Sequence, residues 1–388
     1  MTRWLIGDLR TGRKLLDLNV MAGSKWSTEV NGAGGITAEV TLRDPDMVAL
    51  ELRNAATVGK SFLAVVDNGI VHPCSGPIWS HDYDKDSGKL TITGAGMWTY
   101  FDHRVLLPVL AASTPFIVTD PDDPTKTIPN PVLDTNLSGL DLGTIAKRLV
   151  QQAQAHTGGN IPVVHEADRS GSSERNYVGA DLSLIGDMLD NLVDVEDGPD
   201  IEFTPRFTAD LLGIEWVMRS GSAAQPQLFS QSTHVWDYAV PQPSIRSLKV
   251  KVSADRMVGR AFATGGRSSN TALYAQYTNP NLTNIGYPLL EDVDSSHSDV
   301  VIPATLNAYV KETARTGSKP TEFWSFDVQA DQSPFVGEYR AGDYCVVKIA
   351  NDPYIPKGEY RRRIMALSGD AEGKWVSVTT GEVYSLNG

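Results

Sequence analysis

The stretch 62–104, FLAVVDNGIVHPCSGPIWSHDYDKDSGKLTITGAGMWTYFDHR, constrains the fold more than any other part of this chain. Apolar runs of strand length are punctuated by Asp67-Asn68-Gly69, by Gly76-Pro77 and by the polar turn from Asp84 to Gly88. Asn-Gly between two apolar runs is the turn chemistry of a tight hairpin, because both residues tolerate the positive φ that the strand twist demands. Gly76-Pro77 is expected to break the chain before Ile78-Trp79 starts a new run. Leu90, Ile92 and Ala95 carry that run onward. The segment reads as an up-and-down β unit whose last strand ends in an aromatic plug, Met97-Trp98-Thr99-Tyr100-Phe101.

Residues 1–43 continue the theme: short runs at Trp4-Leu5-Ile6, 15–20, 26–30 and 36–42, with a glycine-rich turn at 31–35. Asp44-Pro45 offers an N-cap followed by proline at the first helical position, predicting a helix to about Arg53. The segment 114–131 holds five prolines and fits no regular element, so it is expected to be a long loop or arm. Helical spacing of Leu142, Ile145, Ala146, Leu149, Val150 and Ala153 predicts a helix over 138–156, capped by Ser138 or Asp141. A second helix is predicted over 181–194, burying Leu182, Ile185, Leu189, Leu192 and Val193. Paired strands follow at 200–203 and 213–218. Further strands are read at 245–252 and 260–264, a third helix at 304–315, and strands at 321–330, 345–349, 360–367 and 374–380. In 321–330, Trp324, Phe326 and Val328 oppose Phe323, Ser325 and Asp327.

A chain of 388 residues exceeds one ordinary core and implies two to four domains. The pattern predicts an α+β, mainly β protein: two antiparallel β-barrel-like domains with a small α+β insertion between them. The expected divisions are a β domain at 1–110, an arm at 111–137, the insertion at 138–240, and a β domain with one helix at 241–388. A hydrophobic content of 41% and a charged content of 21% are those of a globular chain, and no run approaches the roughly 20 apolar residues of a membrane span. No signal peptide is read at the start, where Arg3 and Asp8 flank the first apolar run. Cys74 and Cys345 are the only cysteines, too few for a disulfide framework or a thiolate zinc site, and consistent with synthesis in a reducing cytoplasm. The net charge of −13 argues against a dedicated nucleic-acid binder held by phosphate contacts. It suits an ordinary acidic protein.

Several pieces together resemble one family. They are the turn 31–35 before a strand ending near Asp44-Pro45, Gly76-Pro77-Ile78-Trp79, the polar turn followed by Leu90, Ile92 and Gly94, the block 254–265, Tyr287 to Glu291, and Arg340-Ala341-Gly342-Asp343 before an apolar strand. In this order they are similar to the tail-hub or minor tail proteins of siphophages infecting actinobacteria. The resemblance implies a homotrimer at the tip of a long non-contractile tail, whose two barrels form a pseudo-sixfold ring. It further implies contacts with a distal tail ring protein, the tape-measure protein and other minor tail proteins. DNA would pass through the lumen without specific binding, and no membrane anchor is implied. Assembly would take place in the host cytoplasm and the product would sit in the virion tail tip.

No catalytic, cofactor-binding or metal-ligating residue is assigned. His165-Glu166-Ala167-Asp168-Arg169 begins like a zinc-protease helix, but arginine stands where the second histidine belongs. Asp82, Asp84, Asp86 and Gly88 resemble a calcium loop with the glycine one place late and Thr93 at position twelve; ordinary turn chemistry accounts for them. Gly94-Ala95-Gly96 lacks the third glycine of a dinucleotide site. The stretch 369–374 lacks the spacing and the hydroxyl of a phosphate loop. Gly266-Arg267-Ser268-Ser269-Asn270 stops short of a nucleophile elbow. Acidic pairs such as Asp122-Asp123 and Glu291-Asp292 read as solvated faces. Tryptophans 79, 98, 216, 324 and 375 lie in strand-like runs and are expected to fill barrel or interface cores, and Trp4 and Trp26 suit either place. The chain is therefore expected to be a structural, non-enzymatic protein. The two rival readings are a virion adhesion or glycan-binding module, which needs exposed aromatics around a groove, and a cell-wall hydrolase, which needs two carboxylates facing across a cleft.

Overall fold

The computed structural model describes residues 2–241, 243–268, 271–297 and 300–382. Among these residues fourteen strands join in one sheet. Its order runs Ile245–Ser253, Thr321–Gln329, Trp375–Glu382, Gly358–Asp370, Lys25–Glu29, Gly35–Thr41, Lys89–Ala95, Gly76–Asp84, Ser61–Asp67, Arg3–Asp8, Lys14–Leu18. Tyr344–Ile349 adds to Gly358–Asp370 and carries His234–Asp237 in parallel, and Ile70–Val71 adds to Ser61–Asp67. The strands from the two ends of the chain are thus one hydrogen-bonded surface. The join is the strand Gly358–Asp370, 13 residues long. Its first half pairs with Tyr344–Ile349, and beyond an irregularity at 364–366 its second half pairs with Lys25–Glu29, in the register Leu367 to Thr28. Bulges of this kind bend a strand and let it change partners. The protein is mainly β, with few helices, as the alternation of apolar residues predicts.

One core fills the inside of this surface and draws on both ends of the chain: Trp4, Ile6, Ile36, Leu63, Val65 and Ile78 with Trp236, Trp324, Phe326, Val347 and Val378. A second core lies on the other side of the N-terminal strands. Strand Ser61–Asp67 is buried at every position, because Leu63 and Val65 face the first core while Phe62, Ala64 and Val66 face the second. Adjacent Arg3–Asp8 behaves likewise, with Trp4 and Ile6 on one side and Leu5 on the other. Full burial of each large apolar side chain contributes roughly 1.5–3 kcal/mol, so this two-sided strand is a main anchor of the molecule.

The second core is shared with a mixed domain. Its parts are Thr135–Leu140 paired with Ser173–Tyr177, the helices Leu142–Ala155 and Ile185–Val193, and the three-stranded sheet of Val163–His165, Ile214–Ser220 and Ile201–Phe207. Ile201–Phe207 and Ile214–Ser220 pair as the sequence implies, Phe203 opposite Met218. Trp216 meets Phe62 edge-on at 5.3 Å and donates from Nε1 to Ser75 O at 2.8 Å. A third, smaller core sits between helix Pro303–Thr316 and the sheet of Thr271–Thr278, Arg260–Ser268 and Glu291–His297. The expected faces of Thr321–Gln329 hold: Trp324, Phe326 and Val328 are buried.

Several local expectations are corrected. Gly76-Pro77 does not break the chain but opens strand Gly76–Asp84, opposite Leu63 and Phe62. A Cβ at Gly76 would lie 2.3 Å from Ala95 O, so glycine is there for close strand approach. The aromatic plug is a helical turn, Trp98–Phe101, rather than a strand end. That turn sets Trp98 and Phe101 three residues apart on one face, both against Phe203. The helix after Asp44 ends at Ala49, because Glu51 adopts φ 47° before a four-residue turn, Leu52–Ala55. Ser138 belongs to strand Thr135–Leu140, and the helix starts at Leu142 with Asp141 capping Thr144 N–H. The helix expected from Asp181 begins only at Ile185; Leu182 takes φ 51° and is exposed, not buried. Strands Thr271–Thr278 and Glu291–His297 were not foreseen at all.

Candidate functional site

Two regions stand out from the packing: a buried charged junction and a projecting arm. At the junction the mixed domain meets both halves of the large sheet. Asp200, at the head of strand Ile201–Phe207, holds five partners. Its N–H donates to Pro226 O at 2.8 Å, and its carbonyl accepts from Gly221 N–H at 2.9 Å. Its carboxylate accepts from Leu228 N–H at 2.6 Å, from Asn31 Nδ2 at 3.2 Å and from the Arg363 guanidinium. Asn31 Oδ1 in turn accepts from Ile201 N–H at 2.9 Å. One carboxylate therefore ties the 221–228 linker, the 31–35 turn and the joining strand Gly358–Asp370 together. Arg363 also donates from Nε to Gly342 O at 3.2 Å.

Beside it the Arg340-Ala341-Gly342-Asp343 turn does similar work. Asp343 is almost fully buried and accepts from Ser230 N–H at 2.6 Å and Arg340 N–H at 3.1 Å, with His234 Nε2 at 3.7 Å. Burial opposes its charge, but His234, these N–H groups and Arg340 outweigh that and hold the carboxyl below its ordinary range. Glu202 lies 3.7 Å from Arg340 and 3.8 Å from Arg219; burial nonetheless pushes its carboxyl up. The space left at this junction is about 30 Å³, enough for a single water. Its chemistry is that of a latch between domains.

The arm is the segment expected to be irregular. It folds as a hairpin, Ile117–Thr119 against Thr127–Pro129, which corrects the expectation of no strand of its own. Pro121 and Pro124 sit in the connecting turn, where no ladder N–H is needed, and Asp120 and Asp123 close that turn through Asp122 N–H and Thr125 N–H. From residue 109 to 132 no side chain is buried, and Val109, Phe116, Ile117 and Val132 are exposed.

The other sequence candidates separate. In the zinc-protease-like run, His165 ends a strand and bonds Gln154, Asp168 pairs with Lys147 and Arg148, and Arg169 pairs with Asp141. Burial, helped by Lys147, lowers His165 to about 4. In the calcium-like turn, Asp84 accepts from Asp86 N–H at 2.9 Å and Ser87 Oγ at 2.6 Å, so its oxygens serve the turn itself. Among the described residues no group of three or more His, Cys, Asp or Glu side chains is placed to hold a metal. Ser269 and Asn270 of the near-elbow lie outside the described residues. Six of the eight tryptophans, at 4, 26, 98, 216, 236 and 324, are buried. Trp375 is half-buried under the Arg246 guanidinium at 3.8 Å and borders a shallow groove of about 540 Å³. A cleft of about 410 Å³ is bordered by Asp194, Asp294, Glu312 and Glu322, interleaved with Arg256 and Arg363. Burial pushes Asp194 up, and burial together with Asp194, Asp102 and Asp187 raises Asp190 to about 6.

No family model matches this sequence, and no curated protein matches it. Among solved structures it is similar to a tail protein from Neisseria meningitidis, at 14% identity over 98% of this chain and 96% of that one, with a TM-score of 0.55. It is equally similar to a 43 kDa tail protein of prophage MuSo2 from Shewanella oneidensis, at 12% identity over 98% of both chains, with a TM-score of 0.55. The chain shares the fold of these tail proteins. No single side-chain motif in the sequence announces the junction except Arg340-Ala341-Gly342-Asp343. Asp200, Asn31 and Arg363 stand in turns and strands that gave no separate signal.

Proposed function

We propose that this chain is a structural protein of a phage tail, and within it the hub at the tip of a long non-contractile tail. The observation that carries this reading is the extent of the likeness to two tail proteins, 98% of the chain in each case. The motif order from the 31–35 turn to Arg340-Ala341-Gly342-Asp343 adds the finer assignment to siphophages of actinobacteria. In this reading the protein is a homotrimer that joins the tail tube to the distal tip, beside a distal tail ring protein, the tape-measure protein and other minor tail proteins. It closes or passes the DNA channel, without enzymatic activity and without base-specific contacts. The divisions 1–110, 111–137, 138–240 and 241–388 are its proposed domains.

The adhesion reading gains little, since the tryptophans are mostly core residues and, among the described residues, the 540 Å³ groove is bordered by two of them, the buried Trp26 and the half-buried Trp375. The hydrolase reading would place its acids in the cleft of Asp194, Asp294 and Glu312, where arginines intervene. The test is deletion of the gene from the phage genome that carries it, with electron microscopy of the particles and labelling of the tagged product. Tails that are absent or lack a tip, and label confined to the tip, are expected. Complete infectious tails made without the product would overturn the proposal. Release of sugar or peptide from host walls by the purified protein, abolished by Asp194→Asn, would overturn its non-enzymatic part.

A further inference from the structure

We propose that the hairpin arm of one copy of this chain docks on the free edge strand Ile245–Ser253 of a second copy, with its acidic tip against Lys249 and Lys251. The proposal deepens the reading of the chain as a self-assembling tail protein and rests on it.

Consider first what the arm lacks. Its two strands make three residue pairs with each other, and no strand of the rest of the chain pairs with them among the described residues. A two-stranded hairpin without a core is marginal in water, because too little apolar surface is buried to offset the ordering of its backbone. Yet its turn is closely specified by Asp120 and Asp123, and it presents Phe116 and Ile117 about half exposed. Asp123 is paired with Lys126 at 2.9 Å, whereas Asp120 and Asp122 face no cation among the described residues. The arm is therefore a shaped, apolar and acidic projection.

The edge strand has the opposite character. It ends the fourteen-strand order and pairs only with Thr321–Gln329 among the described residues. Its nine residues carry Arg246, Lys249 and Lys251 and no acid, and only Ile245 is buried. Val250 stands opposite the buried Trp324, so Lys249 and Lys251 lie on the outer face. Phe323, opposite Lys251, is exposed beside them. Arg246 is held by Asp327 and Trp375, but Lys249 and Lys251 make no ion pair among the described residues. One edge N–H, that of Leu248, is already taken by the Tyr238 hydroxyl at 3.0 Å, which leaves 249–253 as the receptive part.

Acid and base, apolar and apolar are thus matched between two surfaces of one chain that do not meet within it. Such a head-to-tail contact between different patches is what repeats around a ring. Lysines on an edge strand also discourage indiscriminate strand pairing. That role alone predicts that removing the lysines increases association, which is the opposite of the present proposal.

The full chain is tested by sedimentation equilibrium with Asp120→Lys/Asp122→Lys, with Lys249→Glu/Lys251→Glu, and with all four changes together. Each reversal is expected to weaken self-association by about tenfold or more, from the loss of two ion pairs and the repulsion that replaces them, and the combination to restore it to within about threefold. Cys74 and Cys345 are buried, so Ile117→Cys in one copy and Phe323→Cys in another should form a disulfide only on mixing, with a copper(II)–phenanthroline complex added as the oxidant. Unchanged association in folded reversal variants, failure of the fourfold variant to recover, or a parent chain that stays monomeric would each overturn the docking. Reversals that spare self-association but reduce incorporation into tails would overturn it in favour of a different tail protein as the arm's partner. The tail reading itself fails on a separate result, complete tails without the gene product.

Discussion

Replacing Arg363 by methionine should loosen the junction between the mixed domain and the large sheet. The change keeps the length of the side chain but removes the cation from the buried Asp200 carboxylate, leaving it Leu228 N–H and Asn31 Nδ2 as donors. Removing one member of a buried ion pair costs about 3–5 kcal/mol, and the two remaining donors place this case near about 3. Unfolding entropy is about 2.1 cal/mol/K per residue, so 388 residues unfolding together give roughly 0.8 kcal/mol/K. The melting temperature should then fall by about 4 °C. Calorimetry measures it, and limited proteolysis should cut first in the 221–233 linker, whose Gly221 and Leu228 amides rest on Asp200. The double variant Asp200→Asn/Arg363→Met should be less destabilised than the two single changes added together, because the stranded charge is gone. A shift of 1 °C or less, or strict additivity, would refute the latch.

Three further outcomes are expected. Asp190→Asn should raise stability at pH 7 and lose that effect by pH 4: a carboxyl raised to about 6 when folded opposes folding while ionised, and stability recovers as the pH falls from 6 towards the ordinary 3.8. Because Asp190, though partly desolvated, keeps more than a third of its surface in water, solvent screening limits the gain to about 1 kcal/mol or less, read from urea midpoints at the two pH values. Asp343 has the opposite sign: its depressed value supports folding above 3.8 and that support fades as pH drops through the folded value, so Asp343→Asn should flatten the acid limb of a melting-temperature profile. Gly34→Ala should cost about 2–4 kcal/mol in urea unfolding, since φ is +60° there and the new Cβ would sit 2.1 Å from Ser27 O; an unchanged midpoint would contradict the tight turn.

Local structure follows from the residues themselves. Turn chemistry at Asn68-Gly69, with φ values of 50° and 82°, and at Asp84 to Gly88 follows from the residues alone, because backbone sterics decide it. So do the alternation in Thr321–Gln329 and the helical spacing in Leu142–Ala155, since burial on one face requires that period. The prolines of the arm misled because proline reads as a break, while here two of them occupy the turn of a hairpin. The long-range pairings depend on packing between distant parts of the chain. The pairing of Lys25–Glu29 with Gly358–Asp370 joins residues more than three hundred positions apart. No periodicity encodes a partner strand; that choice depends on which edges remain free once the cores are packed. Strand Ser61–Asp67 is apolar from Phe62 to Val66, which the sequence displays, but only the mixed domain packed on its outer face gives Phe62 and Val66 a second core to enter. The junction was illegible for the same physical reason: Asn31, Asp200 and Arg363 are ordinary polar residues until the fold removes water from around them and leaves each as the other's partner.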